Sequence, residues 1–426
     1  MADERQRDPA IWILTFAYLL SQFFRSYLAV VAPQLIAGYG LTEKMFGSFA
    51  GAFFLTFAVA QLPLGVAFDR FGVGRPTTLC MCVGTAGAAA LPLTHDATVA
   101  LASQAALGVG CAPIFMGLLN YVLVSGHGPR QVRLVTVASG IGILGALIAA
   151  LPLAWATSKI GWRSAMGIAA AAMFVATAGV GIVLWRQPRL LQSSQASPNE
   201  TAGEQQHAGR RCCSANVAFL ALLPVCFAMS AGGTFRTSWG GPYFKDVFHL
   251  DTIARGHVMT AASVAALVIS LMMPLLVRRV SLKALSLAGM SLGLLAASLL
   301  AGAPAYSASL SASLVCVLFS VGAIHPLVMS QARAISPDRT LGLRLGILNS
   351  MVFLGVAVTS NCFGWLAESA LRQGVSAPEI YVRLFRFTAI VLCVGTAACF
   401  FSPRATRGWR AEEAPRARSV AGAVED

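Results

Sequence analysis

MFGSFAGAFFLTFAVAQLPLGVAFDRFGVGR, residues 45–75, contains a membrane span and its boundary in one stretch. From Met45 to Phe68 no residue is charged; Asp69, Arg70 and Arg75 then arrive together in a short glycine-bearing turn. A helix needs roughly 20 apolar residues to cross the hydrocarbon core of a bilayer. Irregular backbone at that depth would leave peptide groups unsatisfied, so the run reads as a transmembrane helix.

The same reading extends in both directions. Apolar runs at 10–36, 45–68, 77–94, 98–124, 133–157, 163–185, 215–241, 255–277, 282–303, 308–332, 341–368 and 383–402 predict an all-α membrane protein with twelve spans. Composition agrees: 57% of the residues are hydrophobic and 11% charged, where soluble domains carry roughly a quarter charged residues. The formal net charge of +14 would suit nucleic acid if it formed a patch, but the basic residues sit in short connections between apolar runs. That pattern sets membrane orientation and excludes nucleic acid as a partner. The ten cysteines show no disulfide spacing. Met1 to Pro9 is charged and leads into a run too long for a cleavable signal.

One long polar interruption, 186–214, is rich in Gln, Ser, Ala and Glu. It is expected to be a flexible linker between an N-terminal six-helix bundle, 1–185, and a C-terminal one, 215–402. Residues 403–426 are expected to form a disordered tail. Lys and Arg fall predominantly on the even-numbered connections and the termini, which predicts a multi-pass protein of a bacterial-type inner membrane with both termini cytoplasmic. The sequon Asn199-Glu200-Thr201 would then lie on the wrong side for glycosylation.

The two halves repeat. Pro33, Leu41 and Gly47 recur at a constant offset as Pro242, Leu250 and Gly256, with Thr42 and Asp251 where helix N-caps are wanted. Pro113 and Met116 recur as Pro326 and Met329. Duplication of a six-helix unit is a transporter architecture, with the site between the repeats.

The turn Gly65-Val66-Ala67-Phe68-Asp69-Arg70-Phe71-Gly72-Val73-Gly74-Arg75 closely resembles the loop signature G-x-x-x-D-R-x-G-x-x-R of the major facilitator superfamily. The resemblance, carried also by the twelve spans, the linker and the repeat, implies two pseudo-symmetric six-helix bundles that transport a solute by alternating access. It implies a gating role for Asp69, Arg70 and Arg75 at the cytoplasmic end, with Gly65 and Gly72 allowing close helix approach and the turn. A carboxylate beside arginines can make and break charge-assisted bonds as the halves rock. Two departures weigh against a proton-driven drug exporter. Gln104 stands four residues before Gly108-Val109-Gly110, where the family usually has Arg, and Pro152 is not preceded by Gly.

Two arginines lie inside apolar runs: Arg25 in Ser21-Gln22-Phe23-Phe24-Arg25-Ser26-Tyr27 and Arg236 in Phe235-Arg236-Thr237-Ser238-Trp239, the equivalent helix of the second half. An arginine at membrane depth costs on the order of 3 kcal/mol on insertion scales. None of the 17 acidic residues is expected at that depth, so an anionic substrate would supply the missing charge. Guanidinium matches carboxylate or phosphate oxygens bidentately. The pairing also resembles superfamily anion carriers that use arginines of helices one and seven. Gln22, Tyr27, Asn120, Trp239, His325 and Asn349 are further substrate-binding candidates. His325 is the candidate proton carrier should transport be proton-coupled; exchange against a counter-anion is the alternative.

The expected protein is thus a monomeric secondary transporter of a small, anionic organic solute, not an enzyme, with no cofactor and no metal. A copper importer of the same superfamily is the rival, but Met229 is followed at the fourth place by Gly233 and His257 by Ala261, so half of each metal motif is absent. His325 and Met329 have the spacing of one motif, in another helix. A proton-coupled exporter of a drug or metabolite is a further alternative, and a non-transporting sensor would share the helices. No H-E-x-x-H, G-x-S-x-G, P-loop or C-x-x-C motif points to catalysis.

Overall fold

A computed structural model describes residues 9–125, 129–185, 208–336 and 341–402. Its helices are α1 (Pro9–Ser26), α2 (Leu28–Tyr39), α3 (Glu43–Phe71), α4 (Gly74–Leu93), α5 (Ala97–Ser125), α6 (Pro129–Ile148), α7 (Leu151–Ile160), α8 (Trp162–Leu184), α9 (Ala208–Thr234), α10 (Gly240–Phe248), α11 (Thr252–Val277), α12 (Leu282–Gly302), α13 (Ala308–Ser320), α14 (His325–Ile335), α15 (Leu341–Arg372) and α16 (Ala377–Phe401). A π-helical segment, Phe235–Trp239, joins α9 to α10, and a 3₁₀ turn, Val321–Ile324, joins α13 to α14. Among the described residues eleven helical spans are long and apolar enough to cross a membrane, and the pair α1–α2, bent by 56°, counts as a twelfth if it is taken as one span.

Most spans match the hydropathic runs to within a few residues, and two begin six or seven residues earlier. Span twelve starts at Ala377 rather than 383, because Ser376 and Glu379 form a capping box and Pro378 sits in the first turn. Arg383 and Arg386, at the edge of the hydropathic run, fall in the second and third turns of this helix. Span seven begins at Ala208, so 208–214 of the expected linker is helical. Residues 186–207 and the expected tail lie outside the described residues.

The repeat is visible in atomic detail. Thr42 and Asp251 both cap the following helix, accepting from the Met45 and Ala254 amides at 3.3 and 2.7 Å. Before them, Gly40 and His249 occupy the same left-handed conformation, at φ 62° and 54°. Histidine there carries a strain of about 1–2 kcal/mol that glycine avoids, offset by about 0.5–1 kcal/mol of chain entropy. His249→Gly is therefore expected to leave the apparent melting temperature of the purified protein equal or slightly raised. A clear fall would show that the imidazole makes compensating contacts.

Gly47 and Gly256, equivalent in the repeat, let helices of opposite bundles meet. A Cβ on Gly47 would stand 2.8 Å from Gly364 Cα of α15; one on Gly256 would stand 2.6 Å from Ala154 Cβ of α7. The seam between bundles therefore runs along α3–α15 and α7–α11, with α2 against α10 between them. Most of its described hydrogen bonds lie towards the end carrying the 40–42 and 249–251 turns. Thr42 Oγ1 and the Lys44 amide donate to Glu368 at 2.8 and 3.1 Å, Ser48 to Asn361 at 3.0 Å, and the Leu151 amide to Thr260 Oγ1 at 3.1 Å.

Candidate functional site

Span one breaks at Tyr27, span seven passes through the π segment, and span ten through the 3₁₀ turn. Each break holds one residue of interest. Arg25 is in the last turn of α1, Arg236 is the second residue of the π segment, and His325 opens α14. Helix C-termini carry partial negative charge, which favours Arg25 where it is. π-Bulges and discontinuous spans recur at binding sites because they free backbone geometry at mid-membrane depth.

These breaks bring the charges together. Arg236 is near enough to Arg25 to be repelled by it, and Tyr18 and His325 also lie within electrostatic reach of Arg25. Both arginines are partly accessible. Neither pairs with a carboxylate within 4.0 Å, nor donates a hydrogen bond, to any described residue. Each guanidinium carries five N–H donors, so the pair offers ten donors that no described carboxylate meets. His325 Nε2 is buried without a partner close by.

Gln22 is beside them, its Nε2 donating to Tyr18 Oη at 3.0 Å, and Tyr18 packs on Phe115 of α5 at 4.8 Å between centroids. Tyr18 was not singled out from sequence, although positions 18, 22 and 25 share one helical face. Asn120 and Asn349 are half-buried with no described hydrogen-bond partner.

Two expected members of the site go elsewhere. Tyr27 is fully buried and donates to Gln104 Oε1 at 2.8 Å, a packing bond within the first bundle. Two residues after Arg25, it faces away from the arginine's side of the helix. Trp239 is 1% exposed, with its ring against Phe46 at 5.2 Å and Phe363 at 5.8 Å, and it closes the seam. The wide turn of the π segment swings it away from Arg236. Its other side borders a depression of about 730 Å³ at the 249–251 end of the seam, lined by neither Arg25 nor Arg236. That depression mixes Glu43, Asp246 and Asp251 with Lys245 and Arg255, so it largely neutralises itself and has little call for a ligand's charge. Arg255, the first residue of the hydropathic run 255–277, is buried in α11.

In the turn after α3, Gly72 adopts φ 73°, a conformation that favours glycine. Close approach occurs at Gly74, where a Cβ would overlap the Leu184 carbonyl, and not at Gly65, which has nothing within 4 Å. Arg70 and Arg75 are exposed; the Asp69 side chain is outside the described set. Of the copper candidates, Met229 is buried in the core and His257 is exposed.

A family model described as Major Facilitator Superfamily matches residues 14–358. The probable L-galactonate transporter of Escherichia coli (strain K12) is 25% identical over 209 residues, 48% of this chain and 43% of that protein, so the match spans under half of either. Among solved structures, the nucleoside transporter NupG superposes with a TM-score of 0.72 at 13% identity, covering 92% of this chain and 100% of that one. The D-xylose–proton symporter gives 0.69 at 15% identity over 93% and 98%. A bacterial homologue of the human lysosomal transporter Spinster, inward-facing and occupied, gives 0.68 at 15% over 92% and 96%. At these identities the structural likeness is one of fold.

Proposed function

This chain belongs to the Major Facilitator Superfamily, a family of secondary transporters and not of enzymes, and from that premise we propose that it carries a small organic anion by alternating access. The observation that supports this reading is the Arg25–Arg236 pair: two guanidiniums from equivalent helices, close enough to repel, with no carboxylate and no hydrogen-bond acceptor engaging either among the described residues. An unpaired charge at membrane depth is costly, and a bidentate carboxylate offsets that cost for both arginines together.

The name of the partial relative, a probable L-galactonate transporter, suggests a polyhydroxylated monocarboxylate. Its acid group would meet the arginines and its hydroxyls would meet Gln22, Tyr18, Asn120 and Asn349. With the termini cytoplasmic, as the loop charges indicate, the closed seam faces outward and the site belongs to an inward-facing state. In that state Gly65, with open space around it, is free to take up contact when the cytoplasmic end closes around Asp69, Arg70 and Arg75. His325 is the candidate carrier of a coupling proton, and exchange for a second anion is the alternative.

Thermal shift of the purified protein tests this directly. L-Galactonate and related sugar acids at about 100 times their Kd should stabilise by about 2.7 kcal/mol, whereas neutral galactose, of the same size, should not. Equal shifts with acid and neutral sugar, or none with any acid, would remove the anion reading.

A further inference from the structure

Arg25 is held by more than its own helix. Its guanidinium carbon lies 4.4 Å from the centre of the Phe57 ring and 5.0 Å from that of Phe353. The two ring centres are themselves 4.3 Å apart. The three centres form a compact triangle, so both rings lie to one side of the guanidinium. The rings' electron-rich faces attract the cation without using any N–H donor. Phe57 belongs to α3 of the first bundle, whereas Phe353 belongs to α15 of the second. Phe353 also stacks on Phe54, at 6.4 Å and 10° between planes. Next to it on α15, Ser350 donates to the Ala58 carbonyl at 3.4 Å. Thr42–Glu368 and Ser48–Asn361 cross the same pair of helices nearer the 40–42 turn, so the aromatic contact is at the inner end of the seam.

The second half lacks this device. The residue equivalent to Phe57 at the repeat offset is Ala266, and no ring lies over Arg236 among the described residues. The two arginines are therefore unlike. Arg236 has no aromatic seat among the described residues, whereas the seat of Arg25 is built from both bundles.

We propose that Phe353 is a positioning residue for the transported anion: it reaches across from the second bundle to seat Arg25, so that the anion is gripped best when the seam is closed. The inference rests on the anion reading of Arg25 and Arg236. Reciprocity then follows, because if closure tightens the grip on the anion, the anion must favour closure by the same factor. Phe57 supports the same seat from within the first bundle.

The test uses the full-length protein with L-galactonate as probe and compares wild type, Phe353→Leu, Phe353→Tyr and Arg236→Ala. Leucine fills most of the volume without a ring, and tyrosine restores the ring. Affinity is measured by calorimetry, and closure by hydrogen–deuterium exchange of peptides covering 42–51 and 357–368. Phe353→Leu should weaken binding about 5- to 30-fold and abolish the slowing of exchange that the acid produces in the wild type. Phe353→Tyr should restore both, which a volume-filling role would not require. Wild-type affinity together with intact protection in Phe353→Leu would overturn the proposal while leaving the anion site standing, provided Arg236→Ala has lost binding. Absence of binding by wild type, or unchanged binding by Arg236→Ala, would overturn both.

Discussion

Arg236→Ala is expected to abolish carrier-mediated uptake of the acidic substrate, lowering kcat/KM by at least about a hundredfold, while the ligand-free protein melts no lower than wild type. Removing one partner of a buried, hydrogen-bonded charge pair costs about 2–5 kcal/mol or more, and about 2.7 kcal/mol already gives a hundredfold. The second half of the expectation separates a binding arginine from a structural one. In the empty protein Arg236 makes no hydrogen bond and no ion pair with a described residue, and it is repelled by Arg25. Its removal therefore deletes a repulsion and a desolvated charge, and leaves no partner orphaned. A packing arginine would show the opposite pattern, with lower stability and preserved affinity. That outcome, seen in proteoliposome uptake alongside thermal melts, would end the anion assignment. The control is Arg236→Lys, which keeps the charge and loses the planar fork; uptake should fall by about tenfold and should not vanish.

Where the sequence was legible, the signal was periodic and long. The spans appeared because lipid demands unbroken apolar runs, and the repeat appeared because Thr42 with Gly47 and Asp251 with Gly256 do the same work in each half. Arg25 and Arg236 stood out because charge at that depth is rare. The breaks were not readable to the residue. A π segment and a 3₁₀ turn share the composition of their neighbours, and only the glycine pairs Gly232-Gly233 and Gly240-Gly241 hinted at irregularity around Arg236. Uniform α-helical geometry kept Trp239 with the site, whereas the wider turn carries it into the seam. Phe57 and Phe353 gave no signal at all. An aromatic that seats an arginine and one that fills a core look alike until the partner bundle is placed beside them.

Gly241→Val combined with Gly364→Val is expected to abolish net transport by holding the bundles apart at the 40–42 end, without unfolding either bundle. A Cβ at Gly241 would overlap the Ala29 carbonyl of α2, and one at Gly364 would stand 2.6 Å from the Glu43 carbonyl and 2.9 Å from Gly47 Cα of α3. All these neighbours are backbone of the opposite bundle, which cannot rotate out of the way as a side chain does. The clashes belong to the closed seam alone, and the helices within each bundle keep their own packing. Overpacking a tight contact costs about 1–3 kcal/mol, and separate sites add approximately. Two substitutions together thus supply about 2–6 kcal/mol, and roughly 5.5 kcal/mol carries a two-state equilibrium from one extreme to the other. Each single variant should give a partial loss and the pair a near-complete one. Spin labels at Lys44 and Arg372, exposed on opposite sides of the seam, should move apart in the double variant while it still binds the acid from the open side. Labels that stay close, with transport near the wild-type rate, would mean that this seam does not open during the cycle, and alternating access would then need another hinge.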